Sequence, residues 1–172
     1  MINMQLGGLG FDPRNMSPIV LLRDPEERNF LPIWIGMFEA AAIAMELQGY
    51  SPPRPMTHDL MASIVEKSGY QIHKVIISEV KDDTFYAIIE LVSTSLDIQG
   101  EIEEKDIIRL DSRPSDAIAL AVRTAAQIYV SESVMVKAKM VNAEKDKEET
   151  KKFQEFIENI NPEDFKKYYD KQ

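Results

Sequence analysis

The stretch Asp111-Ser-Arg-Pro-Ser-Asp-Ala-Ile-Ala-Leu-Ala121 is the most informative part of this chain. Its first six residues carry two acids, two hydroxyl groups and an arginine, and its remainder has the composition of an apolar helix. A helix N-terminus presents unpaired backbone N–H groups and a partial positive charge, which together suit a phosphate or a carboxylate. The short strand predicted over 107–110 leads directly into this helix. The pattern therefore indicates a strand-to-helix unit whose polar start is either an elaborate cap or a binding site.

Arg113 is the residue of this motif that capping does not explain. Ser112 or Asp111 suits the N-cap, Pro114 suits the first turn, and Asp116 is favourable to the helix dipole. An arginine at a helix start opposes that dipole, so a negative group should compensate it. Asp111, Asp116, an acid elsewhere in the chain and a ligand phosphate all remain open as that group.

A second polar cluster stands in Pro53-Arg-Pro-Met-Thr-His-Asp-Leu60, at the start of a helix predicted over 57–68. Thr57 is a good N-cap residue, and Asp59 suits a first turn. His58 has two interpretations: a general base near neutral pH, or a half-buried histidine with satisfied hydrogen bonds, which is the commoner case. The other histidine, His73, falls in a strand pattern and is assigned to sheet packing.

Composition restricts the classes of function. The chain has 172 residues, no cysteine and a formal net charge of −9. Thiolate metal sites, disulfides and cysteine nucleophiles are therefore excluded. No apolar run approaches the roughly 20 residues of a spanning helix, and no secretory signal is visible, so we expect no membrane association and a cytoplasmic location. With this acidity, nucleic acid should be bound through a small site, weakly and with strong salt dependence.

Hydrophobic periodicity predicts alternating strands and helices. Pro32 indicates an edge or an irregular position for its strand, and the glycines between residues 7 and 10 indicate a turn. The helix after Gly36 is apolar on nearly every face and ends at Gly49, whereas the stripe on the next helix consists of Leu60, Met61, Ile64 and Val65. The predicted strands are 1–6, 19–22, 30–35, 71–80, 84–93, 96–103, 107–110, 128–130 and 134–139; the predicted helices are 36–49, 57–68 and 114–127.

We divide the chain into a domain over residues 1–140 and a charged, amphipathic helical appendage over 141–172. In the appendage, Phe153, Phe156, Ile157 and Ile160 recur at helical spacing and would dock on the core or on a second subunit. Within the domain, Glu39-Ala-Ala-Ala-Ile-Ala44 echoes Asp116-Ala-Ile-Ala-Leu-Ala121, and each follows a predicted strand. Two similar strand-to-helix units packed side by side would explain this echo.

Acids near the two polar motifs are the only candidate ligands for a hard cation. Asp111 and Asp116 would hold Mg²⁺ or Mn²⁺ through carboxylate oxygens and water. Glu39 and Asp59 are the other acids near these motifs. Their spacing matches no established metal signature. The chain has no Walker loop, no Rossmann fingerprint and no nucleophile elbow, since Gly7-Gly8-Leu9-Gly10 fits none of these spacings.

Taken in order, these motifs resemble the bifunctional nuclease domain family of bacteria, archaea and plants. The resemblance is carried by Leu31-Pro-Ile-Trp-Ile-Gly36 with Glu39-Ala40, then by the segments 53–60, 84–87 and 111–121. It covers about residues 1–140. It implies an α+β fold with an extensive mixed or antiparallel sheet, a homodimer, and an attributed nuclease activity on RNA and DNA.

The residues themselves support two functions of different classes. In a nuclease, Arg54 and Arg113 would hold the phosphate, His58 or Asp59 would activate water or a 2′-hydroxyl, and Asp116 would orient an arginine or bind the cation. The hydroxyls of Thr57, Ser112 and Ser115 would contact substrate. Alternatively, the chain is a non-enzymatic dimeric module that binds an anion or a protein; a hydrolase of small phospho-ligands is a third option.

Geometry distinguishes the first two functions. A single nuclease site requires the Arg54–Asp59 and Asp111–Asp116 clusters to meet, because clusters more than about 12 Å apart cannot grip one phosphate.

Overall fold

The computed structural model describes residues 1–13, 15–95 and 102–144, with side chains up to residue 138. The strands are β1 (Ile2–Phe11), β2 (Pro18–Arg23), β3 (Phe30–Trp34), β4 (Tyr70–Lys81), β5 (Thr84–Ser93), β6 (Ile107–Ser112) and β7 (Gln127–Val130). The α-helices are α1 (Met37–Leu47), α2 (Thr57–Lys67), α3 (Pro114–Thr124) and α4 (Glu132–Glu144). A single 3₁₀ turn, Glu104–Asp106, precedes β6.

The described strands form one mixed sheet of seven, in the order β3-β2-β1-β7-β4-β5-β6. Every neighbouring pair is antiparallel except β4 and β7, which run parallel with Val75 opposite Ile128. The predicted α+β fold with an extensive mixed sheet is confirmed. Pro32 lies in β3 at one edge of the sheet, as predicted, because an edge strand does not need the N–H that proline lacks.

Helix α3 is the centre of the helical layer. Its residues from Pro114 to Ala121 are buried except Asp116, and the helix packs against α1 and α2 as well as the strands β4, β5 and β7. The alanines at 117, 119 and 121 have small side chains, which lets the neighbouring helices approach closely. Consequently the starts of three helices lie close together beside the sheet.

The two strand-to-helix units implied by the sequence echo are both present. Strand β3 leads into α1 through Ile35 and Gly36, and β6 leads into α3 through Arg113. Helices α1 and α3 pack against each other, so the two units lie side by side in the helical layer. Ala40 and Ala44 of α1 correspond in spacing to Ala117 and Ala121 of α3, and all four are buried.

Two predicted elements were wrong. The glycines from Gly7 to Gly10 do not end β1; they lie within it, and the register with β2 shifts between Leu6 and Gly8. Gly8 has a φ of +151°, which favours glycine, so the run makes a bulge where a turn was expected. The strand predicted over 134–139 is instead α4, because the carbonyl of Ser131 accepts the N–H groups of Val134 and Met135 and starts a helical turn.

The predicted caps were also wrong. Asp111 and Ser112 are paired residues of β6, so the N-cap of α3 is Arg113. The N-cap of α2 is Met56, and Thr57 is the first helical residue. In both cases the acid three residues after the cap, and not a capping hydroxyl, occupies the helix start.

The surface of α2 also differs from expectation. Of its predicted apolar stripe only Val65 packs against the core, together with Ala62. Leu60, Met61 and Ile64 are 54%, 38% and 56% exposed. Only the face of α2 that carries Ala62 and Val65 contacts the core, because α2 lies at the margin of the helical layer, over β4 and beside α3.

Some sequence predictions fall partly or wholly outside the described residues. These are the strand over 96–103, of which residues 96–101 are not described, and the amphipathic helices after residue 144. Helix α4 runs through residue 140, where the domain boundary was placed; the appendage itself stays a prediction. Among the described residues, no helix has both the length and the apolarity needed to cross a membrane.

The C-terminal caps of the first three helices provide a test of backbone strain. Gly49 and Gly69, after α1 and α2, have left-handed φ values of +63° and +81°. After α3 the same conformation falls on exposed Ala125, at φ +54°. Because left-handed backbone is unfavourable for residues with a Cβ, Ala125→Gly should stabilise the fold by about 0.5–1 kcal/mol. Denaturant titration measures the change. Ala121→Gly, in the helix interior, is the matched control and should destabilise by about 1 kcal/mol or more.

Candidate functional site

Three helices begin around one point, and each carries an acid at its third residue. These acids are Glu39 in α1, Asp59 in α2 and Asp116 in α3. A carboxylate in the first turn is favourable because the helix N-terminus carries partial positive charge. The three acids also accept hydrogen bonds from basic side chains of other segments, so capping and tertiary contacts share the same groups.

Asp116 joins the two polar clusters seen in the sequence. Its Oδ1 lies 3.0 Å from Nε2 of His58, and its Oδ2 accepts a hydrogen bond of 2.8 Å from Nε of Arg113. A further bond of 3.2 Å runs from Nη2 of Arg113 to Oδ1. His58 belongs to the 53–60 cluster and Arg113 to the 111–116 cluster, so the distance requirement for a single site is met.

Arg113 lies between two carboxylates. Besides its bonds to Asp116, its Nη1 donates to Oε1 of Glu39 at 2.8 Å. These pairings raise the pKa of the guanidinium further above its usual range, with the Asp116 hydrogen bonds as the largest cause and the Glu39 bond next. Three of its five N–H groups are therefore engaged. The side chain is 66% exposed, so two N–H groups remain for a ligand.

Gly36 allows Glu39 to reach Arg113. A Cβ at Gly36 would overlap the Glu39 carboxylate. The backbone of Gly36 is extended, with φ −76°, so the constraint at this position is the space taken by the acid and not the backbone conformation. Glycine at this N-cap thus leaves the space that the Glu39 carboxylate occupies.

His58 is oriented for proton transfer. The imidazole is mostly buried, with 12% of the side chain exposed, and with a proton on Nε2 it donates to Asp116. Nδ1 then carries a lone pair and makes no hydrogen bond with any residue that the structure describes. A carboxylate that holds an imidazole by one nitrogen while the other stays free is the arrangement required of a general base.

The Asp116 carboxyl is held in its charged form. Burial raises its pKa, but hydrogen bonds from Arg113 and then His58, with the charge of Arg113, outweigh burial, so the pKa lies below its usual value. Asp116 therefore acts here as an acceptor and not as a proton donor.

Asp59 faces a different partner. Its Oδ1 accepts a hydrogen bond of 2.6 Å from Nε of Arg123, and its Oδ2 accepts the N–H of Met56 at 2.8 Å. These two bonds, Arg123 first, lower the pKa of Asp59. Arg123 is buried and also donates to the carbonyls of Ala42 and Ala119. Through Oδ1 and Arg123, Asp59 ties α2 to α3 and α1, whereas its Oδ2 caps the start of α2 itself.

A pocket opens beside Arg113. It has a volume of about 470 Å³ and lies between α2, β5 and β6. Its apolar lining includes Met61, Phe85, Ile89 and Leu110, and its polar lining includes Ser112, Arg113 and Asp116. The ion-paired cluster is therefore part of the wall of a cavity of ligand size.

The remaining predicted site residues lie around this centre without joining it directly. Arg54 is exposed in the loop before α2 and makes no ion pair or hydrogen bond with any described residue. Thr57 is exposed, Ser115 is buried in the first turn of α3, and the Ser112 hydroxyl donates to the carbonyl of Arg113. Their substrate-binding roles stay predictions.

The predicted cation also stays a prediction. Asp111 lines the pocket, but it pairs with Ile88 of β5, and strand alternation turns its side chain to the opposite face from Ser112. Asp116 has both oxygens hydrogen-bonded. In the part of the chain that the structure describes, no group of three or more His, Asp or Glu side chains could hold a metal ion.

Sequence reasoning missed two residues of the site region. Arg123 was not singled out, although its spacing of seven from Asp116 places both on one face of α3. Phe38, next to Glu39, is 87% exposed, and nothing in the sequence distinguishes it from the buried residues of α1. Glu39 was considered only as a cation ligand; its role with Arg113 depends on the packing of α1 on α3.

Comparison with known proteins gives a consistent result. The profile of the bifunctional nuclease domain matches residues 20–143. A Mycobacterium tuberculosis protein, named only as uncharacterized, is 36% identical over 175 residues, covering 96% of this chain and 99% of that protein. Bifunctional nuclease 1 of Oryza sativa subsp. japonica is 28% identical over 116 residues, and bifunctional nuclease 2 of Arabidopsis thaliana is 25% identical over 115 residues. Each of these two matches covers 67% of this chain but only 33% of the plant protein.

The lowered pKa of Asp116 predicts a pH-dependent contribution to stability. A carboxyl whose folded pKa lies below its unfolded value of about 3.9 stabilises the fold above that pH and loses the contribution as pH falls through the folded pKa. The difference in unfolding free energy between the wild type and Asp116→Asn should therefore be full near neutral pH and shrink in acid. Urea titrations at a series of pH values measure it. Asp111→Asn removes a carboxylate without a partner among the described residues and should show no such trend; a constant difference for Asp116→Asn would contradict the ion pairing.

Proposed function

This chain belongs to the bifunctional nuclease domain family, and we propose that it hydrolyses phosphodiester bonds in RNA and DNA at the cluster formed by Glu39, His58, Arg113 and Asp116. One observation carries the proposal: the carboxylate of Asp116 contacts both His58 and Arg113. A proton acceptor and an anion-binding group thereby contact the same carboxylate, and Arg113 and Asp116 also line the pocket.

In this proposal Arg113 binds the phosphate. Its two unengaged N–H groups, on an exposed guanidinium, suit two oxygens of a phosphodiester. Glu39 and Asp116 hold the guanidinium in place, which reduces the side-chain freedom lost on binding. Their negative charge also weakens the attraction for phosphate, so binding should be weak and salt-sensitive, consistent with the net charge of −9.

His58 moves the proton. With Asp116 on Nε2, the free Nδ1 takes a proton from water, or from a 2′-hydroxyl in RNA, as the new P–O bond forms. The same proton then passes to the oxygen that leaves when the old P–O bond breaks. Asp116 orients the imidazole and stabilises its charged form, as the acid does in a nucleophile–histidine–carboxylate triad.

The other predicted residues take supporting roles. Asp59 is a positioning residue, because its oxygens are engaged by Arg123 and the Met56 N–H. Arg54, exposed and without a described partner, is available to a second phosphate of the same strand. The predicted Mg²⁺ or Mn²⁺ ion, with Asp111 and Asp116 as ligands, would stabilise charge on the phosphate. The two carboxylates do not fit one ion here, because both Asp116 oxygens are hydrogen-bonded and strand alternation turns Asp111 to the other face of the sheet.

A non-enzymatic protein-binding module is the second candidate. The exposed apolar residues Leu60 and Ile64 of α2 favour it, as does the neutralisation of Arg113 by two carboxylates. In that function the cluster would serve only to fix the three helix starts, and a second copy of the chain is one partner that would fit.

The test is cleavage of end-labelled RNA and DNA by highly purified protein, with Mg²⁺, with Mn²⁺ and with EDTA. Arg113→Ala should lower the rate by about 10²–10³-fold and His58→Asn by about 10²–10⁴-fold, the range for lost electrostatic and proton-transfer catalysis. Asp116→Asn should weaken both phosphate binding by Arg113 and proton transfer by His58. Loss of activity in EDTA would support the cation.

Matched controls separate the site from general damage. His73→Asn changes the other histidine, which lies in β4, and Arg28→Ala removes an exposed arginine whose only described ion pair is with Glu26. Both should keep full activity, and circular dichroism should show every variant folded. Activity that survives all three site substitutions belongs to another site or a contaminant, and a purified protein inactive under every ion condition favours the binding module.

Gly36 provides a finer test of Arg113 placement. Gly36→Ala should displace the Glu39 carboxylate without removing it, and Glu39→Gln should weaken the same contact without changing its size. Because Asp116 still holds Arg113, both variants should lose less activity than Arg113→Ala, on the order of 10-fold, which corresponds to about 1.4 kcal/mol. Steady-state rates on one RNA substrate measure the effect; unchanged rates in both variants would remove Glu39 from the site.

A further inference from the structure

We propose that the pocket beside Arg113 receives one unpaired nucleobase, so that the protein acts on single strands in preference to duplexes. This inference rests on the proposed function, because it takes the ligand at Arg113 to be a nucleic-acid phosphate. It adds the substrate class, which neither the ion-paired cluster nor the family determines.

The lining of the pocket combines apolar and charged side chains, which correspond to the two chemical parts of a nucleotide. Its apolar lining comes from Met61, Ile89 and Leu110, and Phe85 adds an aromatic residue. Its polar lining includes Ser112, Arg113 and Asp116. A base has an apolar face and a charged phosphate one sugar away, so a phosphate at the free N–H groups of Arg113 would place a base toward the apolar lining. The volume of about 470 Å³ lies in the range of roughly 300–1,000 Å³ usual for small-molecule sites.

The exposure of the lining supports a ligand over simple packing. Met61 is 38% exposed and Leu110 43%. Both line the pocket, from α2 and β6, and Arg113 and Asp116 line the same pocket. Side chains of this kind bind bases through stacking and apolar contact, which does not depend on base identity.

A duplex does not satisfy this site. Its bases are stacked and paired, so one base would have to leave the helix before it could enter the pocket. Proteins that hold duplexes over a long footprint rely on basic surface, whereas this chain has a net charge of −9 and Arg113 is neutralised by its two acids. Little binding energy is therefore available to open a duplex, and an already unpaired base is favoured.

The experiment measures binding without cleavage. A short fluorescent oligonucleotide with hydrolysis-resistant phosphorothioate linkages is titrated with the full chain, as a single strand and annealed to its complement, and anisotropy gives both affinities. The single strand should bind at least about 10-fold more tightly. Met61→Trp fills the pocket and should weaken single-strand binding by roughly 5- to 100-fold, the span expected for one base contact. Leu110→Trp, from β6, should act in the same direction.

Ile64→Trp is the matched control, since Ile64 lies one turn along α2, is 56% exposed and does not line the pocket; its affinity should equal that of the wild type. Equal affinity for single strand and duplex would overturn the inference, as would equal effects of Met61→Trp and Ile64→Trp. A Met61→Trp variant that alters the sedimentation coefficient and not the affinity would assign the groove to a second copy of the chain and also overturn it.

The two proposals can fail separately. Selective single-strand binding that depends on Met61, in a protein without hydrolytic activity, would support the base pocket and reject the nuclease. Hydrolysis of single and double strands at equal rates, unaffected by Met61→Trp, would keep the nuclease and reject the pocket.

Discussion

The carboxylate of Asp116 is the constraint on which the site depends. It accepts hydrogen bonds from His58 at 3.0 Å and Arg113 at 2.8 Å, and it stands in the first turn of α3, where the helix dipole favours negative charge. The same group therefore stabilises a helix start and joins segments 58 residues apart. Around it, Arg113 ties the start of α3 to Glu39 of α1. Asp59 ties the start of α2 to Arg123 in the last turn of α3, and Arg123 also donates to the Ala42 carbonyl of α1.

The charge balance of this arrangement determines what it can bind. A lone arginine at a helix start would bind anions strongly, but here Glu39 and Asp116 neutralise it. The result is an anion site whose guanidinium is held in a fixed position but whose electrostatic attraction for an anion is weak. Such a site suits a ligand that brings additional contacts, and the apolar pocket next to Arg113 supplies them. Together with the proposed nuclease function, this combination explains how an acidic chain would use a small region to handle a polyanion.

Helix α2, at the margin of the helical layer, is incompletely packed and also carries residues of the site. Helix α2 contributes His58 and Asp59 at its start and Met61 one turn later, yet none of its residues is fully buried. Its position is secured by Ala62 and Val65 against the core and by Asp59 against Arg123. The exposed apolar residues of α2 beside β6 leave the pocket open, whereas a fully packed helix would have closed it.

The sequence by itself determined the local elements and the composition of the site. Alternation and helical spacing identified β2 to β7 and the three helices α1 to α3. Pro32 indicated an edge or irregular strand, and the polar motifs at 53–60 and 111–121 contained His58, Arg113 and Asp116. It failed where a local signal has two meanings: the glycines of β1 suit a turn or a bulge, and Val134 to Lys139 suit a strand or a helix. Only the tertiary structure decided which acid pairs with which base, as in the ion pair of Asp59 with Arg123. It also decided that Leu60, Met61 and Ile64 are exposed. The physical reason is that these outcomes depend on contacts between segments far apart in sequence, whose distances no local spacing encodes.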